Sequence, residues 1–231
     1  MSKTVGVIGG MGPAATLDFC ERVLALTPAQ ADQDHLRLIV DNNPKIPDRN
    51  AAVAGEGPSP APVLAAMARG LEAAGAELLV MPCNAAHAFV GAVLEASDLP
   101  FVDIIKSTVD ATRETVPQAR TVGVLGSSGC LDAELYQAAF ATFGIRVEVP
   151  ETEVRERFMA LLYAIKRGET GPAAKAGMIA IAHDLISSGA EAIVAGCTEV
   201  PLVLDAGDLP VPLINSTDAL AKATIDAAQA E

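Results

Sequence analysis

Short β-branched runs that stop at glycine or polar residues alternate along this chain with longer stretches of helical periodicity. Val5 to Ile8 is the first such run, and a helix is predicted from about Pro13, where proline suits a first helical turn. Leu36 to Val40 reads as the next strand and ends in the polar loop Asp41 to Arg49. Gly55 to Pro62 is rich in Gly and Pro and is expected to hold no regular structure. A helix over about Val63 to Ala74, a strand over Glu77 to Met81 and a helix from Asn84 follow. The second half repeats the scheme, with strands near Thr121 to Leu125, Ile145 to Val149 and Ala192 to Ala195 and helices between. This alternation predicts parallel sheets with right-handed crossovers, whose ligands sit at the carboxyl ends of the strands.

The pattern is also an internal repeat. Gly75 to Asn84 (GAELLVMPCN) returns 114 residues later as Gly189 to Thr198 (GAEAIVAGCT), each copy ending in a cysteine and a polar residue. Val5 to Gly10 is echoed by Val122 to Ser127, and Asp98-Leu-Pro100 with Ser107-Thr108 by Asp208-Leu-Pro210 with Ser216-Thr217. The expected fold is therefore α/β, with two similar doubly wound parallel-sheet lobes related by pseudo-symmetry and a cleft between them. We assign residues 1–103 with 214–231 to the N-terminal lobe and 104–213 to the C-terminal one. Two thiols facing each other across such a cleft suit the movement of a proton from one side of a carbon atom to the other.

Composition narrows the function. The chain has 231 residues, of which 51% are apolar and only 3% aromatic, which fits helices packed on parallel strands. A net charge of −13 offers no basic patch for nucleic acid. No apolar run reaches the roughly 18 residues of a membrane span and no charged-then-apolar leader is seen, so a cytoplasmic protein is expected. The four cysteines show neither CxxC nor Cys/His metal spacing, so free thiols are expected, with no metal.

A thiolate is a good base once its pKa is lowered, and a helix N-terminus lowers it. Cys83 and Cys197 both fall at predicted strand-to-helix junctions, in matched positions of the repeat, whereas Cys20 and Cys130 read as small buried hydrophobes. His87 lies four residues after Cys83, on the same helix face, and either tunes that thiol or is satisfied by backbone carbonyls. Glu199, two residues after Cys197, either orients the base or favours the helix start. The glycine loop Gly9 to Gly12 carries no acidic side chain that could act as a base.

Gly9 to Thr16 (GGMGPAAT), Pro82 to His87 (PCNAAH), Gly196 to Pro201 (GCTEVP), Ile46 to Arg49 (IPDR) and Lys166-Arg-Gly168 together resemble the cofactor-independent aspartate/glutamate racemases, over nearly the whole chain. Gly9-Gly10 and Glu199 stand where glutamate racemases carry an acidic residue and a histidine, so the resemblance is to the aspartate branch. It implies that one cysteine, as thiolate, removes the α-proton of an acidic amino acid while the other, as thiol, protonates the opposite face. By the same resemblance Cys197 serves the L-isomer and Cys83 the D-isomer. Arg49 and Lys166 are implied contacts for a distal carboxylate. Asn84, Thr198, Ala85, Ser127, Met11 and Gly12 are the other implied substrate contacts, and a homodimer without cofactor is implied too. Ala85 replaces the family's usual Thr, and Asn50 another, which leaves room for a broader-specificity racemase.

Two rivals come from other classes. Gly10-Met-Gly12-Pro-Ala-Ala15 satisfies a relaxed dinucleotide-binding pattern, although Asp41 comes later than the usual spacing of about 20 residues and the paired cysteines go unexplained. A two-lobed small-molecule binding module of the periplasmic type would have no use for proton-transfer thiols.

Overall fold

A computed structural model of the chain describes residues 2–230. Among these residues the first lobe runs β1 (Val5–Gly9), α1 (Pro13–Leu26), β2 (Leu38–Asn42), α2 (Arg49–Val53), α3 (Ala61–Ala73), β3 (Leu78–Val80), α4 (Val90–Leu94) and β4 (Phe101–Val102). After α5 (Ile104–Thr115) the second runs β5 (Thr121–Val124), α6 (Ser128–Asp132), α7 (Leu135–Ala141), β6 (Arg146–Glu148), α8 (Thr152–Lys166), α9 (Pro172–Ser187), β7 (Ile193–Ala195) and β8 (Leu213–Asn215). The helix α10 (Ser216–Gln229) follows. The sheets have the orders β2-β1-β3-β4 and β6-β5-β7-β8, parallel throughout.

Strand alternation divides the apolar residues between an inner and two outer cores. Val5, Val7, Leu78 and Val80 of the first sheet share one cluster with Val122, Val124 and Val194 of the second, so this central core is common to both lobes. The intervening residues face outward: Ile8 and Leu79 meet Leu64, Met67 and Leu71 of α3, while Leu125 and Ile193 meet Phe158 and Leu162 of α8 and Met178 and Leu185 of α9. Strands covered on both faces read as continuous apolar runs, as these do.

The pairing gives the repeat a physical cause. Gly6 pairs with Leu79, and Gly123 with Ile193. A Cβ on Gly6 would lie 2.8 Å from Ala76 and 3.1 Å from Leu71; one on Gly123 would lie 3.1 Å from Ala190 and 3.0 Å from Leu185. In both lobes the central strand carries glycine because a helix and the turn after it come that close.

Other expectations need correction. The Ser107-Thr108/Ser216-Thr217 echo does not join equivalent positions. Asp103, directly after β4, and Asn215, the last residue of β8, are the matched residues, each capping the next helix through its side chain. Ile214 and Asn215 pair with β7, so the boundary expected between 213 and 214 cuts through β8. Neither cysteine opens an α-helix: a 3₁₀ turn over Ala85–Phe89 follows Cys83, and one over Val200–Leu202 follows Cys197. Pro201 has no N–H to continue a ladder there. The Gly/Pro-rich stretch is irregular only to Pro60, since Ala61 and Pro62 already form the first turn of α3.

The helix after each lobe's last strand packs across onto the other lobe. Helix α5, leaving β4, lies against α7 and β8, while α10, leaving β8, lies against α1 and β4; the two also pack on each other.

Candidate active site

The carboxyl ends of β1, β3, β5 and β7 meet at a closed cleft. Cys83, three residues past β3, and Cys197, two past β7, both line it, with Met11, Arg49, Asn50, Asn84, Ala85, Ser127, Leu162, Lys166, Thr198 and Glu199. The cleft thus brings together the sequence-predicted residues except Gly12 and His87. Gly12 borders it: a Cβ there would lie 3.3 Å from the Glu199 carboxylate and 3.6 Å from the Lys166 ammonium. A dinucleotide pyrophosphate at this glycine loop would therefore face a carboxylate. The free volume is about 20 Å³, room for one water and far less than an amino acid needs.

Each side chain is held from its own element. Thr16 in α1 accepts the Gly10 N–H at 2.9 Å and donates to the Gly12 carbonyl at 3.1 Å, which pins the glycine loop. Asp48 caps α2 by accepting from Ala51 N at 2.9 Å, which sets Arg49 at the first helical position. Arg49 donates to the Pro47 carbonyl at 3.0 Å and the Met11 carbonyl at 3.5 Å; among the described residues no carboxylate lies within ion-pair distance of it. Asn50, beside it, accepts the Gly129 N–H of α6 at 2.9 Å and so joins the lobes over the cleft.

The second thiol has an acidic partner. Cys197 Sγ donates to Glu199 Oε2 at 3.0 Å, and Glu199 Oε1 is ion-paired to Lys166 of α8. Burial pushes the Cys197 thiol well above its ordinary range, with the Glu199 carboxylate adding to the rise and Lys166 opposing it. For Lys166 itself, burial is the largest influence and works against the ammonium, but Glu199, Cys197 and Cys83 together outweigh it and the net shift is upward. Lys166 therefore carries its charge with Glu199 already beside it, and Arg49 is the cation without a carboxylate.

His87 stands behind the first thiol. Its Nδ1 lies 2.9 Å from the Cys83 carbonyl, to which it donates, and its Nε2 accepts the Ile104 N–H at 3.3 Å. Burial holds the ring neutral against the pull of Asp103. Both nitrogens are thus spent on backbone, and the four-residue spacing brings the ring to the Cys83 carbonyl rather than to its sulfur. Cys130 is buried, and burial followed by the nearby Cys83 pushes its thiol up to about 12. Cys20 is half-buried on α1. Among the described residues no three His, Cys, Asp or Glu side chains gather as a metal site requires, and no helix is long and apolar enough to cross a membrane.

The family model of Asp/Glu/hydantoin racemases matches residues 8–224. The chain belongs to this family. It is accordingly an enzyme of the racemase class, an isomerase. The broad-specificity amino-acid racemase RacX of Bacillus subtilis is 25% identical over 225 residues, covering 96% of each chain. The solved structure of Picrophilus torridus aspartate racemase superposes with a TM-score of 0.87 at 28% identity, covering 98% of this chain and 94% of that one. A glutamate racemase of Corynebacterium kroppenstedtii is 31% identical over 142 residues, 60% of this chain and 47% of its own.

Sequence reasoning missed three residues of this neighbourhood. Leu162 looks like any core leucine of an amphipathic helix. Tyr136 and Ser216 reach Asn84 from 52 and 132 residues away, and no local pattern announces such contacts.

Proposed function

We propose that this enzyme racemises an acidic amino acid, aspartate foremost, by moving the α-proton between Cys83 and Cys197 without a cofactor. The observation that carries the proposal is the meeting of two thiols, one from each lobe, in a cleft whose cation Arg49 has no carboxylate partner. One cysteine as thiolate takes the α-proton, leaving a carbanion whose charge spreads into the α-carboxylate; the other cysteine gives its own proton to the opposite face. N–H and O–H donors around that carboxylate, Asn84 and Thr198 among them, stabilise the charge as it develops. Arg49 takes the distal carboxylate. With about 20 Å³ free, substrate reaches the thiols only when the lobes part, and reclosure excludes water around the carbanion.

A broader-specificity racemase is the second reading. Ala85 and Leu162 give the cleft two apolar walls that do not select for charge, and the RacX relative carries that description. Single-enantiomer amino acids incubated with the purified enzyme in D₂O, followed by chiral and mass analysis, decide between the two. Aspartate turned over well ahead of neutral amino acids supports the first, comparable turnover the second, and no α-deuteration of any amino acid rejects both.

A further inference from the structure

A buried chain of hydrogen bonds behind the thiols has a direction fixed by chemistry. Ser216, the first residue of α10, lies 2.6 Å from the carbonyl oxygen of Ala195 at the end of β7. A carbonyl only accepts, so Ser216 donates its proton there and turns a lone pair to Asn84 Nδ2, 3.2 Å away. The Asn84 group facing Ser216 must then be its NH₂. Its Oδ1 in consequence faces Tyr136 of α7, whose hydroxyl donates across 2.6 Å. Burial holds the Tyr136 phenol well above its ordinary pKa, so it donates throughout the working range. Asn84, Tyr136 and Ser216 are all buried.

An asparagine amide can ordinarily turn over and exchange oxygen for nitrogen. Here that turn would set the Asn84 oxygen against the Ser216 lone pair, breaking that buried bond, and would force the Tyr136 hydroxyl to stop donating to Asn84 and accept from its NH₂ instead. The second Nδ2 proton of Asn84 has no acceptor among the described residues, and Asn84 lines the cleft next to Cys83.

We infer that Tyr136 and Ser216 are positioning residues that lock the Asn84 amide with an N–H, and not a carbonyl, facing the substrate carboxylate. The inference rests on the proposed racemisation for its kinetic meaning but on the bond chain for its geometry. The same chain ties the Cys83 loop to the end of the strand that leads to Cys197, and so fixes one thiol-bearing segment against the other.

Tyr136→Phe is the sharp variant, because it keeps the ring stacked on Phe140 and removes only the donor. Its kcat for α-proton exchange should fall about tenfold, the loss expected for one hydrogen bond that strengthens in the transition state, with KM little changed. In an Asn84→Ala background the same substitution should change kcat less than twofold. An equal loss in both backgrounds would mean that Tyr136 acts through packing, and overturns the inference. A second measurement needs no catalysis: in ¹⁵N-labelled enzyme the Asn84 amide proton held by Ser216, recognised by its loss in Asn84→Ala, should exchange slowly in the native protein and faster in Tyr136→Phe, where the amide is free to turn and swap its two protons. Unchanged exchange overturns the inference too. Should the native enzyme deuterate no amino acid, the proposed function falls, and the amide protons alone decide the positioning role.

Discussion

Charge at single residues divides the labour in the cleft. Lys166 is paired with Glu199, so under the proposed function the distal carboxylate falls to Arg49. Arg49→Ala should therefore cut kcat/KM for aspartate at least tenfold more than for any neutral amino acid, since only the diacid loses a charge-assisted pair worth on the order of 2 kcal/mol. Equal losses would remove Arg49 from that role. Glu199 makes a different prediction. For the enantiomer from which Cys197 takes the proton, kcat/KM climbs with pH as the thiol ionises; for the other, Cys197 must stay protonated and kcat/KM falls over the same range. Glu199→Gln removes a charge that raises this pKa and leaves Lys166 to favour the thiolate, while Arg49 and Cys83, facing the same cleft, are unaltered. Both limbs should move to lower pH; limbs that stay in place would show that the carboxylate does not govern the thiol. The thiols themselves are tested by substitution: Cys83→Ser and Cys197→Ser should each abolish racemisation, yet each should still eliminate a β-leaving group from one enantiomer, which needs a single base. A single mutant that eliminates from both enantiomers at similar rates would contradict a two-base cleft.

At the scale of elements, α2 packs against α6 across the cleft. A Cβ on Gly129 would lie 3.0 Å from Asn50 Oδ1, 3.1 Å from its Cα and 3.3 Å from the Arg49 carbonyl. Two of these atoms are backbone, so Gly129→Ala must push α2 back by a few tenths of an ångström and carry Arg49 with it. The expected result is a several-fold fall in acidic-substrate turnover with a melting temperature close to that of the native protein, because alanine also favours the helix. Unchanged turnover would show that α2 has slack. Elements were the level at which the sequence was most legible. The strand–helix alternation and the matched cysteines were readable from the repeat, whereas the role of Gly6 and Gly123, where no other residue fits beneath the approaching helix, shows only in the structure. Ser216-Thr217 misled because a two-residue match carries little information; the capping pair Asp103 and Asn215 shares a role without sharing a residue type. The short turns after the cysteines were not legible either, since the residues after Cys83 lack strong helix breakers while the local fold prefers a 3₁₀ turn.

Over the whole molecule, the sheets share one central core, and α5 and α10 each leave one lobe to pack on the other. Val5, Phe19 and Leu220 stand in the same cluster as Val122, Tyr136 and Phe140, so neither half can close its core alone. Separate fragments 2–116 and 117–230 should each fail to melt cooperatively, and when mixed should regain both a cooperative transition and racemase activity. A fragment that folds independently would refute the shared core. The exchanged helices make the intact chain equivalent to two half-length partners that have swapped an arm, with the segment between α5 and β5 serving as their tether. Such a tether sets a local concentration in the millimolar range. Cutting it turns a unimolecular assembly into a bimolecular one, so the mixed halves should lose specific activity on dilution long before the intact enzyme does.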